Sequence, residues 1–307
     1  MDNLIPDGVW PTMLTPFTED NEVDYQALEA LINWYIDQGV DGLFAVCQSS
    51  EMYYMSLEER VKVAQFTKKI ANGRVPVIAS GHISDNMKEQ MLELKAMTDT
   101  GIDALVILSN HFARQDEDDE IWRKNAQRIL QEIPDIPLGI YECPHPYKRL
   151  MAPELLRWCA DTSRFYFLKD TSCDVDNMRA KMNAVGSTQL KIFNANAATL
   201  LDSLKIGISG FSGIMANFHP SLYVWLTQNW DRESEQARIL QDILGPFSMA
   251  EGMVYPVNAK YHLKLDGVPI ELYSRSKDCK EFSEHSKIII EQMYRVASEI
   301  IDKWLAD

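Results

Sequence analysis

The sequence is poor in positive charge and has no long apolar run. Acidic residues number 45 against 30 basic ones, so the 307-residue chain carries a formal net charge of −15. An acidic surface repels nucleic-acid phosphates and anionic lipids, and we expect neither as a partner, although a locally positive site could still bind a small anion. No run of about 18 apolar residues occurs, and no basic segment precedes an apolar one at the amino terminus. We therefore predict no membrane span and no secretory signal, and we expect the protein to be cytoplasmic.

Cysteine and histidine are few and widely spaced. The five cysteines include no CxxC pair, and the six histidines show neither HxH nor HxxxH spacing. Scattered cysteines in a chain without a secretory signal predict reduced thiols. His82, His111 and Glu142 end neighbouring strands and could form a metal site, but their spacing favours polar side chains without a metal. We predict no metal ion and no cofactor.

A glycine-rich phosphate-binding loop is also missing. The first predicted strand runs into the residues WPTMLTPF at positions 10–17, which contain no glycine. The nucleotide-binding turn of a doubly wound sheet needs closely spaced glycines so that the backbone can approach a pyrophosphate. This absence weakens the doubly wound open sheet, which is the main competitor among α/β folds.

Short apolar strands alternate with amphipathic helices through most of the chain. The strands are apolar on both faces, which is typical of a parallel sheet covered by helices. Eight strand–helix units, the last helix beginning near Pro220, predict an α/β fold of the (β/α)8 TIM barrel type. The predicted strands are Val9–Leu14, Gly42–Val46, Pro76–Ser80, Ala104–Leu108, Leu138–Tyr141, Phe165–Lys169, Lys191–Phe193 and Gly210–Ser212.

Strand patterns stop after about Trp230. The remaining residues show helical patterns instead, and Glu284–Trp304 is the most regular of them. We predict that residues 1–230 form the barrel and that residues 231–307 form a C-terminal helical region packed on it.

A lysine ends one of the apolar strands. Lys169 follows the residues FYFL at positions 165–168. An amine at a barrel mouth among apolar neighbours loses solvation, which disfavours the ammonium form and frees a nucleophile that can form a Schiff base with a ketone or aldehyde. On this segment alone, a lysine that extends into solvent or pairs with a carboxylate is the commoner situation.

Other polar side chains stand at the ends of the remaining strands, where TIM barrels carry their active sites. Tyr141 ends the strand next to that of Lys169 and could serve as an acid or base, or its hydroxyl could simply bond a backbone group. Gln48 and Ser49 could hold a carboxylate or carbonyl oxygen, although a serine there could equally cap the following turn. His82 and His111 could contact the distal part of a substrate.

Several segments together resemble one known family. The residues GVWPTMLTPF at positions 8–17 resemble its opening strand, and SLEER at 56–60 resembles the start of its second helix. YECP at 141–144 matches the family's Tyr-Asn-x-Pro except at Glu142, and LKDTS at 168–172 resembles its Lys-(Asp/Glu)-(Thr/Ser)-Ser. The chain thus resembles the dihydrodipicolinate synthase/N-acetylneuraminate lyase family of class I aldolase-type barrels, over nearly its whole length.

This resemblance implies a role for each candidate residue. Lys169 would form an imine with a 2-oxo acid, usually pyruvate, and Tyr141 would relay protons. Ser49 would hold the pyruvate carboxylate, while Thr171 and Ser212 would line the cavity. The resemblance also implies a small oxo acid or aldehyde as substrate and a homo-oligomer, either a tetramer or a dimer.

The chain departs from the family pattern around the expected substrate pocket. The family's loop Gly-(Ser/Thr)-Thr-Gly-Glu reads CQSSE at positions 47–51, so the bulkier Gln48 replaces its first hydroxyl. Pro146 stands where the synthase branch has a carboxylate-binding arginine, and two alanines at 197–198 stand where sialic acid lyases have an acidic pair. These differences argue against lysine biosynthesis and against N-acetylneuraminate as the substrate.

Two functional hypotheses of different class follow. The first is a Schiff-base lyase or aldolase that acts on a 2-oxo acid through a Lys169 imine, with a dehydratase of a deoxy sugar acid as its nearest variant. The second is a non-catalytic carbonyl-binding or regulatory barrel that keeps Lys169, because the loop at positions 47–50 departs from the family loop that holds the pyruvate carboxylate.

Overall fold

Eight parallel strands curl into a barrel in the computed structural model, which describes residues 4–133 and 136–304. The strands are β1 Gly8–Val9, β2 Leu43–Phe44, β3 Val77–Ala79, β4 Ala104–Leu108, β5 Leu138–Tyr141, β6 Phe165–Asp170, β7 Lys191–Asn194 and β8 Gly210–Phe211. Neighbouring strands follow the order β1-β8-β7-β6-β5-β4-β3-β2. A parallel bridge between Thr12 and Phe44 joins the chain after β1 to β2 and brings the two ends of the sheet together. The predicted TIM barrel is confirmed.

Helices follow the strands in turn. The barrel helices are α1 Tyr25–Asp37, α2 Leu57–Ala71, α3 Met87–Thr98, α4 Asp119–Glu132, α5 Pro153–Asp161, α6 Val175–Val185, α7 Leu200–Lys205 and α8 Pro220–Asn229. At several of these helices, the side chain of the residue just before the helix accepts backbone N–H groups of the first turn. Ser56 accepts the backbone N–H of Glu59, whose carboxylate accepts the N–H of Ser56 in return, so α2 begins with a capping box. None of the helices in the described ranges is both long and apolar enough to cross a membrane.

The first strand is shorter than predicted. The sequence predicts a strand over Val9–Leu14, whereas β1 ends at Val9. Pro11 has no backbone N–H and cannot donate to a neighbouring strand, so regular pairing stops there. Its carbonyl oxygen still accepts the N–H of Phe44 at 3.1 Å, and pairing resumes as the single bridge at Thr12.

Aromatic side chains fill the barrel interior below the strand ends. The Phe167 ring packs edge-on against Trp10, with centroids 5.6 Å apart, and stacks on Phe193 at 4.7 Å. Phe44 packs edge-on against both Phe167 and Tyr141. Such pairs add on the order of 0.5–1.5 kcal/mol each beyond the burial of their surface. The rings therefore form a firm apolar layer beneath the polar groups at the barrel mouth.

The chain after α8 is mostly helical, as predicted, but it contains one long irregular stretch. The helices are α9 Ser234–Phe247, α10 Val257–Leu265 and α11 Glu284–Trp304. The prediction of helix was wrong for residues 268–278, which form none. Instead, the backbone N–H groups of Arg275 and Ser276 each donate to the Glu51 carboxylate at 2.7 Å. This carboxylate therefore fastens the irregular stretch to the loop after β2, at the carboxyl end of the barrel.

Candidate active site

Lys169 and Tyr141 lie side by side at the carboxyl ends of β6 and β5. The two residues are partners in the register of these strands. The Lys169 Nζ atom lies 4.7 Å from the centroid of the Tyr141 ring. Lys169 is 3% exposed and Tyr141 is 4% exposed. The structure thus brings together the amine and the phenol that the strand ends predicted as a pair.

Burial changes the acidity of the Lys169 amine. Loss of solvent around the ammonium lowers its pKa from 10.5 to about 8, while Cys47, Cys143 and Glu251 oppose the shift. A pKa of about 8 leaves roughly 10% of the amine neutral at pH 7, against less than about 0.1% for an ordinary lysine. The site therefore holds a useful fraction of nucleophilic amine near neutral pH.

Tyr141 stays a neutral phenol in the same surroundings. Burial raises the pKa of its hydroxyl well above 10, and the nearby thiols of Cys143 and Cys47 raise it further. A neutral phenol can donate a proton to an oxygen that leaves a carbon next to the amine, and the phenolate can take a proton back. The pair can therefore support both nucleophilic attack and proton transfer.

A cavity of about 400 Å³ opens in front of the two side chains. Of the other predicted site residues, Gln48, Ser49 and Thr171 border it. Cavities of about 300–1,000 Å³ commonly hold small molecules in proteins. The space therefore suits a small substrate that reaches the Lys169 amine.

The loop after β2 presents one serine to the cavity and uses the other for its own turn. The Ser50 hydroxyl accepts the N–H of Cys47 at 2.9 Å and donates to the carbonyl oxygen of the same residue at 2.7 Å. Ser49 borders the cavity, with its Oγ 3.2 Å from Thr12 Oγ1. The structural role considered for these serines therefore falls to Ser50, while Ser49 lines the cavity.

Behind the cavity wall, two carboxylates and a lysine form a fully buried charge cluster. The Lys181 ammonium on α6 donates to Glu142 Oε1 at 2.6 Å and to Asp170 Oδ2 at 2.5 Å. All three side chains are 0% exposed. Because Glu142 follows Tyr141 and Asp170 follows Lys169, the cluster ties together the two strand ends that carry the candidate pair.

Glu142 is committed to this cluster and does not border the cavity. Burial and the neighbouring Asp170 raise the pKa of its carboxyl to about 7, and Lys181 opposes the shift. Its Oε2 also accepts the backbone N–H of Thr171 at 2.9 Å. In residues 4–133 and 136–304, no group of three or more His, Cys, Asp or Glu side chains is arranged to hold a metal ion.

We predict that Lys181→Met strongly destabilises the protein. It would leave two buried carboxylates without their cation, and breaking a buried ion pair from one side costs about 3–5 kcal/mol. Urea unfolding measures the change in the free energy of unfolding. Lys205→Met on the neighbouring helix removes an exposed pair with Asp202 and should cost no more than about 1 kcal/mol. Equal losses in the two variants would contradict the structural role of the cluster.

Three predicted residues do not border the cavity. His82 is fully buried, and its Nε2 accepts the backbone N–H of Leu108 at 2.8 Å. His111 borders a separate cavity, with its Nε2 3.4 Å from the Tyr53 hydroxyl. Ser212 is also fully buried, and its hydroxyl has no hydrogen-bond partner in the described part of the chain.

The cavity also contains residues that the sequence analysis did not identify. Tyr53 borders it from the turn after β2, and its hydroxyl donates to the carbonyl oxygen of His145 at 2.8 Å. Glu251 and Tyr255 border it from the chain between α9 and α10. No residue between α9 and α10 was a candidate in the sequence analysis.

The chain is similar to proteins of one known family. The model of the dihydrodipicolinate synthetase family matches residues 6–286. A 4-hydroxy-tetrahydrodipicolinate synthase from Methanocaldococcus jannaschii is 28% identical over 288 residues, which cover 92% of this chain and 96% of that protein. The corresponding synthase from Bacillus subtilis is 26% identical over 266 residues, covering 86% of this chain and 90% of the relative.

Solved structures share the fold. A crystal structure of a dihydrodipicolinate synthase superimposes with a TM-score of 0.83 at 25% identity, covering 95% of this chain and 99% of the other. A prophage protein of the dihydrodipicolinic acid synthase family from E. coli K12, in complex with pyruvate, superimposes with a TM-score of 0.86 at 22% identity. That comparison covers 95% of this chain and 98% of the other.

Proposed function

Because this chain belongs to the dihydrodipicolinate synthetase family, an enzyme family of class I aldolase-type lyases, we propose that Lys169 forms an imine with a 2-oxo acid of the pyruvate type. The observation that carries the proposal is the buried amine itself, whose lowered pKa and position beside Tyr141 suit attack on a carbonyl carbon. The proposed reaction of the enzyme is the cleavage or formation of a carbon–carbon bond in this 2-oxo acid. Tyr141 relays the protons.

The chemistry follows from the two side chains. The neutral Lys169 amine adds to the C2 carbonyl, and Tyr141 donates the proton with which the C2 oxygen leaves as water. In the cleavage direction, the phenolate then takes the proton of the C4 hydroxyl while the C3–C4 bond breaks. The bonding electrons move into the imine and give an enamine, and C4 leaves as an aldehyde carbonyl. Protonation of C3 and hydrolysis of the imine return the amine and release the oxo acid.

Borohydride trapping tests this proposal. Protein and pyruvate are mixed, reduced and digested, and peptide masses locate the adduct; turnover of candidate oxo acids is measured in parallel. An adduct on Lys169 together with turnover supports the lyase. An adduct without turnover of any candidate favours the non-catalytic carbonyl-binding barrel, which the altered loop at positions 47–50 motivates. Absence of an adduct over a panel of oxo acids and aldehydes overturns both.

A dehydratase of a deoxy sugar acid is the second catalytic candidate. It needs the same Lys169 imine, but it expels the C4 hydroxyl as water instead of breaking the C3–C4 bond. The polar side chains Asn196 and Thr171 on the cavity wall could hold the hydroxyls of such a substrate. Product analysis separates the two, because only the lyase releases a shorter aldehyde.

We expect Gln48→Thr to bind pyruvate more tightly than the natural protein. A threonine hydroxyl would offer a second donor to the carboxylate next to Ser49, and one net hydrogen bond of about 0.5–1.5 kcal/mol corresponds to roughly a 2- to 10-fold lower dissociation constant. Isothermal titration measures it, with Gln65→Thr on the exposed face of α2 as the matched control. If Gln48→Thr brings no gain, the carboxylate is held elsewhere in the cavity.

We also propose a homo-oligomer, a tetramer or a dimer, in the reducing environment of the cytoplasm. The five cysteines are unpaired, which suits a reducing compartment. Members of this family are commonly oligomeric, although one synthase variant is described as monomeric. Sedimentation of the purified chain measures its state directly.

A further inference from the structure

A second carboxylate faces the cavity and has no partner of its own. Glu251 belongs to the short 3-10 turn Ser248–Gly252, between α9 and α10, and borders the cavity in front of Lys169. Among residues 4–133 and 136–304, no hydrogen bond or ion pair to this carboxylate is found. A half-buried carboxylate without a donor is costly, because it loses water and gains nothing in exchange.

The other carboxylate at the cavity behaves differently. Glu51 accepts hydrogen bonds from the Ser274 hydroxyl at 2.8 Å and from two backbone N–H groups at 2.7 Å, and it lies 3.3 Å from the Lys260 ammonium. These four contacts within the protein occupy both oxygen atoms of the Glu51 carboxylate. Of the two carboxylates that line the cavity, Glu251 is therefore the one whose oxygen atoms are available to a ligand.

The Glu251 carboxylate is half-buried and shares the cavity with three lysines. Burial raises the pKa of this carboxyl to about 7, and the Lys169 amine opposes the shift. Tyr223 interacts electrostatically with Glu251, and its fully buried hydroxyl has no partner within the described ranges. Lys148 and Lys277 also border the cavity, and the Lys148 ammonium donates to the carbonyl oxygen of Thr171 at 2.8 Å. Both lysine side chains are exposed, so solvent weakens the field of their charges at Glu251.

We propose that Glu251 determines specificity at the distal end of the substrate: it accepts hydrogen bonds from hydroxyl groups and repels a second carboxylate. This inference rests on the proposed function and names its substrate class. The aldehyde part of the substrate is neutral and hydroxylated, as in a sugar acid or a hydroxyaldehyde. An acidic aldehyde is rejected, because like charges brought together away from water repel strongly.

Competition between three aldehydes tests the proposal. Pyruvate is condensed with an equimolar mixture of glyceraldehyde, propionaldehyde and succinic semialdehyde, and products are counted by mass spectrometry. In the natural protein, the glyceraldehyde product should dominate. The competition is run at about pH 8.5, where a carboxyl with a pKa of about 7 is ionised. Glu251→Gln keeps the shape but removes this charge, and it should raise the ratio of the succinic semialdehyde product to the glyceraldehyde product roughly 10- to 100-fold.

Two further variants keep the test decisive. Glu251→Asp retains the negative charge and should still reject succinic semialdehyde, while Glu235→Gln on the first turn of α9 removes a carboxylate outside the cavity and should leave the product ratio unchanged. An unchanged ratio in a folded Glu251→Gln protein, or an equal shift in Glu235→Gln, overturns the proposal. Failure of the proposed function appears separately, as the absence of a trapped Lys169 adduct in the natural protein.

Discussion

Lys169→Met should reduce turnover by at least about four orders of magnitude, with the fold retained. Methionine has similar length and suits the apolar surroundings of the buried side chain, but it cannot form an imine. Removal of a covalent nucleophile commonly costs on the order of 10⁴- to 10⁶-fold in kcat. Steady-state kinetics measures the loss, and circular dichroism checks the fold.

Lys124→Met is the matched control for this variant. Lys124 lies on α4, is exposed and does not border the cavity, so its replacement should leave kcat within about 2-fold, as for surface substitutions in general. If Lys169→Met retains catalysis, the enzyme uses another electron sink, and the assignment of the amine is wrong.

Tyr141→Phe should slow turnover by roughly two to four orders of magnitude, which is the range for positioned acid/base groups. The ring that packs against Phe44 is retained, so the loss is expected in kcat and not in the stability of the barrel. Loss of the phenol also leaves the C2 oxygen without a proton donor, and imine trapping should become slower in parallel.

Tyr166→Phe provides the comparison for the phenol. Tyr166 lies on β6, does not border the cavity and should tolerate loss of its hydroxyl without a change in kcat. Unchanged turnover in Tyr141→Phe would remove this residue from the mechanism and would transfer proton relay to another group at the cavity, of which Tyr255 and Glu251 are candidates.

The central strands and their pairing were predictable from the sequence. Strands β4 and β5 have the predicted bounds, Ala104–Leu108 and Leu138–Tyr141. Each is a continuous apolar run between polar turns, so the sequence itself marks where the strand begins and ends. Once two such strands are neighbours in a parallel sheet, their carboxyl ends meet. Tyr141 and Lys169 therefore came together as expected from their positions at strand ends.

Glu251 and Tyr255, which the sequence analysis missed, lie far along the chain from the strand ends that they approach. Glu251 reaches the cavity from the C-terminal helical part, 82 positions after Lys169 (251 − 169), and no local sequence pattern reports that two such distant residues line one cavity. The buried position of Lys181 could be recognised in part from the sequence. It shares the buried face of α6 with Met178 and Val185, where an apolar residue is expected, and a lysine at such a position indicates a buried partner.

Titration of the imine-forming amine tests the central claim most directly. The initial rate of pyruvate trapping on Lys169, followed by peptide mass analysis from pH 6 to 11, should rise to half of its plateau near pH 8, where the buried amine loses its proton. The rate should rise with pH because only the neutral amine attacks a carbonyl. A half-maximum at about 10.5, the value of an ordinary lysine, or labelling of other lysines in place of Lys169, would contradict the account.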